Sequence, residues 1–376
     1  MLKIMTTLLF FPALPLMAQG FEGVWLGKIG DAEVQLCLQD GPYGALGAYY
    51  AVADGQIVTL ESDGFSEGSW HESGVDPKAS LSFEQPDEDH LTGTRHGEAS
   101  MQIALTRAPL LTVDTSDPDF TSCGSLTFSA ARLEKTDATQ QTPAKWHGHP
   151  YTHLTFSPAK LDVRLDSFQL PGNTAAVRSI NTDLAMGFPG LDPMADVLDC
   201  ARSNLAWSGR DGGDRERRWP EILTDTLLVI GTQYDVYCGG AYPETSTQWQ
   251  VLDLQTAEPV DTSLWLAEGA LEDLRDDAAH VRESVKPPMQ AFSTLFLKRY
   301  AAVTADGENC ADLLSEDFDW FIRPSSTGMT FTQVLPHVAQ ACAVDVIIPY
   351  GEIWPVLSPS GQAMVSAVRK ALNDKD

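Results

Sequence analysis

Between residues 20 and 108 the chain alternates apolar and polar side chains in short runs. The runs are GVWLGKIG, AEVQLCLQ, GALGAYYAV, QIVTLES, EGSWHES, ASLSFEQ, HLTGTRH and MQIALTR. Val34, Leu36 and Leu38 mark one face of the second run, and Met101, Ile103 and Leu105 one face of the last. Gly, Asp and Pro clusters separate the runs at intervals of about 8–12 residues. A period of two with such spacing predicts short strands in a meander or small barrel, not βαβ units. Gly23-Val24-Trp25 resembles the GxW opening of lipocalins, and we read its Trp as a plug for one end of a small barrel.

Residues 109–145 are rich in Pro, Thr, Ser and Asp and read as a connector, with one strand over Ser125–Leu133. From Trp146 the pattern turns to mixed α and β. Strands are expected at Tyr151–Phe156, Leu161–Phe168, Thr226–Tyr237, Thr247–Leu254 and Val344–Pro349, with a hairpin of Phe318–Arg323 and Met329–Val334. Helices are expected at 171–186, 266–285, 288–303 and 358–372, the first closed by Gly187 and the third opened by a proline. Residues 188–219 read as loop-rich. The expected class is α+β overall: an N-terminal all-β meander or small barrel over 19–108, then a mixed α+β domain over 146–376 with an antiparallel sheet and flanking helices.

The chain has 376 residues and 43% apolar composition, enough for two domains with packed cores. Its 52 acidic against 25 basic residues leave a net charge of −27. Phosphate contacts need clustered Lys and Arg, so the balance argues against nucleic acid and against docking on an anionic membrane. The local exception is Arg215, Arg217 and Arg218, which we place in one loop. Residues 1–18 read as a signal peptide, with Lys3 as the positive start, an apolar stretch from Ile4 to Met17 and a cut after Ala18. No later stretch approaches 18 consecutive apolar residues, so no stable membrane insertion is expected after cleavage. Export to the periplasm or beyond gives the six cysteines a meaning. Cys37, Cys123, Cys200, Cys238, Cys310 and Cys342 are even in number and lack CxxC spacing, which points to disulfides. Sequential pairing is the expected arrangement among the 15 that six cysteines allow.

Catalytic signatures are thin. Gly64-Phe65-Ser66-Glu67-Gly68 matches GxSxG, but its flanks read as strand on both sides, whereas a nucleophile elbow needs a strand-to-helix turn. Ser157-Pro158-Ala159-Lys160 matches SxxK between two strands, where no helix places Ser and Lys on one face. His147, His149 and His153 form HxHxxxH, and on a strand the first two would share a face as metal ligands should. We read all three as turn or strand residues, and expect no metal and no cofactor.

Three segments carry a family resemblance. The first is an aromatic strand, Gly-Gly-Ala-x-Pro, then a strand ending Asp-Leu-x-Thr; its residues are Tyr237, Gly239, Gly240, Ala241, Pro243, Asp253, Leu254 and Thr256. The second is a hairpin with Gly328 followed by an Ile-Pro-Tyr strand end and a short helix, marked by Ile348, Pro349, Tyr350 and Ile353. The third is LDVRLDSFQLPGNTAAVRSINTDLA, a strand and an Asn-bearing helix. Together they resemble the C-terminal extracellular domain of the lysozyme-sensing anti-sigma factor RsiV, over about residues 160–370. Family members commonly have His where Tyr242 stands, and 188–219 has no counterpart. The chain lacks a sigma-binding segment and a deacetylase metal motif, so the resemblance implies the fold and not the signalling. The Gly-Gly pair itself reads as a tight turn.

The expected function is binding at the cell envelope without catalysis. The acidic field suits a basic protein partner, such as a lysozyme-like cell-wall hydrolase. Two alternatives are kept. One is a cell-wall hydrolase or esterase using Ser66 with His71, or the His147–His153 cluster. The other is a small-ligand carrier that uses the barrel interior.

Overall fold

The computed structural model describes residues 20–41, 44–62, 68–73, 79–84, 86–87, 89–111, 122–134, 137–240, 242–270, 287–303, 320–335 and 342–373. The signal-peptide reading, Ser66, Ala241 and Cys310 fall outside them.

All eight alternating runs are strands: β1 (Gly23–Ile29), β2 (Ala32–Gly41), β3 (Gly44–Ala51), β4 (Val58–Glu61), β5 (Ser69–Ser73), β6 (Ser80–Phe83), β7 (His90–His96) and β8 (Met101–Arg107). Each pairs antiparallel with the next, and β8 pairs back onto β1 to close a barrel. Closure removes both sheet edges. The inward positions of each run fill the interior with Trp25, Leu36, Leu60, Trp70, Leu81 and Leu91, all fully buried. Trp25 is held from two sides: its Nε1 donates to Phe21 O at 2.9 Å, and the Arg107 guanidinium lies 4.1 Å from its ring centroid. One polar group is built into this interior. Glu72 accepts from Tyr49 Oη at 2.6 Å and from Arg95 Nε and Nη2 at 2.6 and 3.0 Å. Among the described residues, side chains occupy the interior that the carrier alternative would use.

The outer face of β1–β3 is buried too. Val24, Cys37, Ala48 and Tyr50 pack against Cys123, Phe128 and Leu205, and a disulfide joins Cys37 to Cys123. The segment expected as a strand over Ser125–Leu133 is helical instead: α1 (Leu126–Ser129) runs into a 3-10 turn at Ala130–Arg132. The Ser125 hydroxyl caps α1 by accepting from Phe128 N, a local bond that outweighs the apolar alternation. Arg132 then ties barrel to sheet. It is 1% exposed, donates to Gly55 O and Lys160 O, and pairs with Asp211.

The second sheet has six strands in the order β14-β13-β12-β11-β10-β9. Its members are β9 (Gln140–Trp146), β10 (His149–Phe156), β11 (Asp162–Gln169), β12 (Gly213–Leu223), β13 (Leu227–Tyr237) and β14 (Glu244–Asp253). The sheet therefore begins at Gln140, inside the stretch read as connector. Pro143 sits on β9, an edge strand, where a missing N–H breaks no ladder. Only β11 and β12 run parallel in this sheet, joined by a crossover holding α2 (Ala175–Leu184) and α3 (Asp199–Ser208). Thr174 caps α2, so the helix starts later than Pro171. The loop-rich reading of 188–219 is corrected: α3 and the start of β12 lie there. Five charges in GDRERR and Pro220 hid the strand, and the ladder absorbs Pro220 with a register shift before Ile222.

A third, antiparallel sheet has the order β15 (Trp320–Pro324), β16 (Gly328–Gln333), β17 (Asp345–Pro349). With α4 (Pro287–Val303), α5 (Tyr350–Ile353) and α6 (Pro359–Asn373) it covers one end of the six-stranded sheet. Of the helix expected over 266–285, Leu266 instead bridges Leu357, after a 3-10 turn at Thr262–Trp265, and residues 271–286 lie outside the described set. Architecture and class are thus α+β. No helix among the described residues is long and apolar enough to cross a membrane.

Candidate functional site

Strand periodicity builds the most distinct surface. Along β13 one face reads Leu227, Val229, Gly231, Gln233, Asp235, passing from buried apolar to exposed polar midway. Its register partners do the same: Val251, Trp249, Thr247 and Thr245 on β14, and Trp219, Arg217 and Arg215 on β12. The third sheet covers the apolar half. The polar half stays open as a groove of about 590 Å³, which reaches across β11 and β10 to Thr142 and Ala144 on β9. That volume suits a small-ligand or oligomer site.

At the boundary, Trp219 and Trp249 meet edge to face with centroids 5.4 Å apart. They can lie over β13 because position 231 carries no side chain; a Cβ there would come 2.4 Å from Trp219 and 2.8 Å from Trp249. A cation caps each end of the pair. Arg323 sits 3.8 Å from the Trp249 centroid and Arg217 5.3 Å from that of Trp219. Arg323 is 3% exposed and pairs with Asp345 at 2.5 Å, whereas Arg217 stands in the groove.

The basic run is therefore a strand, not one loop, and alternation divides its members. Arg218 points to the opposite face, where its Nη1 donates to Asp183 O and Leu184 O at the C-terminus of α2, at 2.9 and 3.1 Å. Those carbonyls have no partner within the helix, and the cation suits that end of the dipole. Glu216 beside it accepts from Arg218 Nε at 2.5 Å; burial raises its carboxyl above the usual range, and the Arg218 charge opposes that rise. On the groove face, Arg215 pairs with Asp162 at 2.8 Å and Arg164 with Asp166 at 2.7 Å. His153 Nε2 lies 3.6 Å from the other Asp166 oxygen. Arg217 is exposed and has no carboxylate partner among the described residues.

Of the catalytic signatures, Ser66 lies outside the described residues, and the rest take structural places. His71 is exposed on β5. Lys160 bonds Val52 O and Glu134 at 2.8 and 2.7 Å, as a clamp between barrel and sheet. His147 lies in the β9–β10 turn at φ 42°, not on a strand beside His149. Among the described residues no three His, Cys, Asp or Glu side chains converge as a metal site.

The family-motif residues occupy structural places. Tyr237 ends β13, and the Gly239-Gly240 turn follows with φ of 107° and 104°. Cys238 in that turn is bonded to Cys200 on α3. Pro243 lies beside Glu244, where β14 starts. Asp253 caps the next turn by accepting from Gln255 N and Thr256 N. Asn181 of α2 holds both backbone groups of Leu170, at 2.7 and 2.9 Å. Gly328 opens β16, Pro349 closes β17, and buried Tyr350 donates to Ser325 O at 2.6 Å. Cys342 is disulfide-bonded as well.

Sequence reasoning missed the groove, although it had a signal: the switch from apolar to polar at alternate positions within LLVIGTQYD. No sequence-family model and no curated protein matches the chain. Among solved structures it is similar to a DUF3298 family protein from Pseudomonas aeruginosa PAO1, at 13% identity over 59% of this chain and 94% of that one, with a TM-score of 0.33. It is also similar to a DUF3298 family member from Bacteroides fragilis NCTC 9343, at 13% identity over 62% and 95% of the two chains, with a TM-score of 0.32.

Proposed function

We propose that the chain is an exported, non-enzymatic binding protein of the cell envelope and that the arginine-bearing groove is its recognition site. The observation that carries this reading is the groove itself: guanidiniums held in place by Asp162 and Asp166 beside one, Arg217, left open to a ligand. Such an array is built in advance for binding, which lowers the ordering cost of association. The disulfides Cys37–Cys123 and Cys200–Cys238 support an oxidising compartment. The resemblance to the RsiV extracellular domain supports binding over catalysis. The test fills the groove. Gln233 faces it from β13, opposite Arg217, and Trp is a good strand residue there. Immobilised wild-type protein should retain an envelope component that Gln233→Trp releases. Equal retention by both, or none by either, overturns the reading.

A second reading rests on the net charge of −27: capture of a cationic lysozyme-like hydrolase through the acidic surface. Such a complex should form in low-salt calorimetry and weaken steeply with added salt. Absence of heat at low salt refutes it.

A further inference from the structure

Resting on the groove reading, we infer that its ligand is an acidic glycan whose carboxylate seats on Arg217. Arg217 is the groove guanidinium without a carboxylate partner, so it can offer a carboxylate two parallel N–H donors. Its position over Trp219 restrains it on the aromatic side. The neighbouring groups narrow the ligand. Asp166 and Asp235 line the same cleft, so a densely charged polyphosphate or a run of acidic peptide side chains would meet like charge. A sugar chain has sparse carboxylates and many hydroxyls. Its hydroxyls find acceptors in Asp235 and Gln233, and its ring faces find Tyr151 on the far wall. In a chain of net charge −27, anions are otherwise repelled, so an anion site must be local and rest on an arginine that no carboxylate neutralises.

The test uses the full chain and titrates it with trigalacturonate, its fully methyl-esterified form, triglutamate and tripolyphosphate. Trigalacturonate should bind in low salt, and the ester at least tenfold more weakly. Arg217→Gln should lose about tenfold for the acid and little for the ester. Arg217→Lys should recover part of the loss, and Arg178→Gln, on the exposed start of α2, should bind like wild type. Equal binding of acid and ester, or of Arg217→Gln and wild type, overturns the inference. Tighter binding of triglutamate or tripolyphosphate overturns the assignment to a glycan. If Gln233→Trp releases the envelope component while trigalacturonate fails to bind, the groove reading stands and the glycan falls. If Gln233→Trp retains that component, the groove reading itself falls.

Discussion

A methyl group at position 231 has no room. The Cβ of Gly231→Ala would lie 2.4 and 2.5 Å from Trp219 ring atoms and 2.8 Å from Trp249. These are rigid rings in mutual contact, not the free ends of flexible chains, so both must move. The backbone at 231 is not among the positive-φ positions, so on backbone grounds alanine should gain about 0.4–1 kcal/mol by restricting the unfolded chain. Overpacking costs about 1–3 kcal/mol. Disturbing the aromatic pair adds about 0.5–1.5 kcal/mol. We expect a net loss of about 2 kcal/mol, or roughly 4–8 °C in Tm for a unit of this size. Calorimetry reads the Tm, and near-ultraviolet circular dichroism reads the Trp219–Trp249 geometry. Adding Trp219→Leu to Gly231→Ala should cost less than the two single changes summed, because the clash is then gone. A Tm that stays level or rises in Gly231→Ala, with an unchanged aromatic spectrum, would refute the packing argument.

Two further outcomes follow from buried charge. Glu72→Ala should destabilise the barrel by about 3 kcal/mol, because it strands the Tyr49 hydroxyl and the Arg95 guanidinium, and urea unfolding showing a loss below about 1 kcal/mol would contradict this. For Glu216, burial raises the folded carboxyl above its unfolded value, so the folded state holds the proton more tightly. Wild type should therefore lose stability as pH rises from about 4.5 through the folded value, and Glu216→Gln should not. The difference between variant and wild type in urea midpoint should grow in the variant's favour from pH 4.5 to pH 7.5; a constant or shrinking difference would count against it.

Much of the barrel was legible, because each strand advertises itself through a period of two between turn residues. The errors are instructive. Ser125–Leu133 alternates like a strand, yet one hydroxyl capping Phe128 N turns it into a helix. β12 alternates too, but its charges and Pro220 read as loop until a neighbouring ladder supplies the bulge that admits the proline. The Arg215–Arg218 run looked like one basic cluster. On a strand it becomes two groove cations and one cap for α2.

By itself, then, the sequence determined the strand segments of the barrel, the α+β class and an acidic chain with cysteines in even number. These are local or additive properties, set by side-chain period, turn chemistry and charge. Barrel closure, the parallel pairing of β11 with β12 and the groove were decided only by the tertiary structure. The reason is physical: whether an arginine is open or neutralised depends on which carboxylate the next strand brings beside it. Arg215 reaches Asp162 only because β11 lies against β12, a contact between residues distant along the chain, whereas Asp166, the register partner of Arg217, is taken by Arg164 on its own strand.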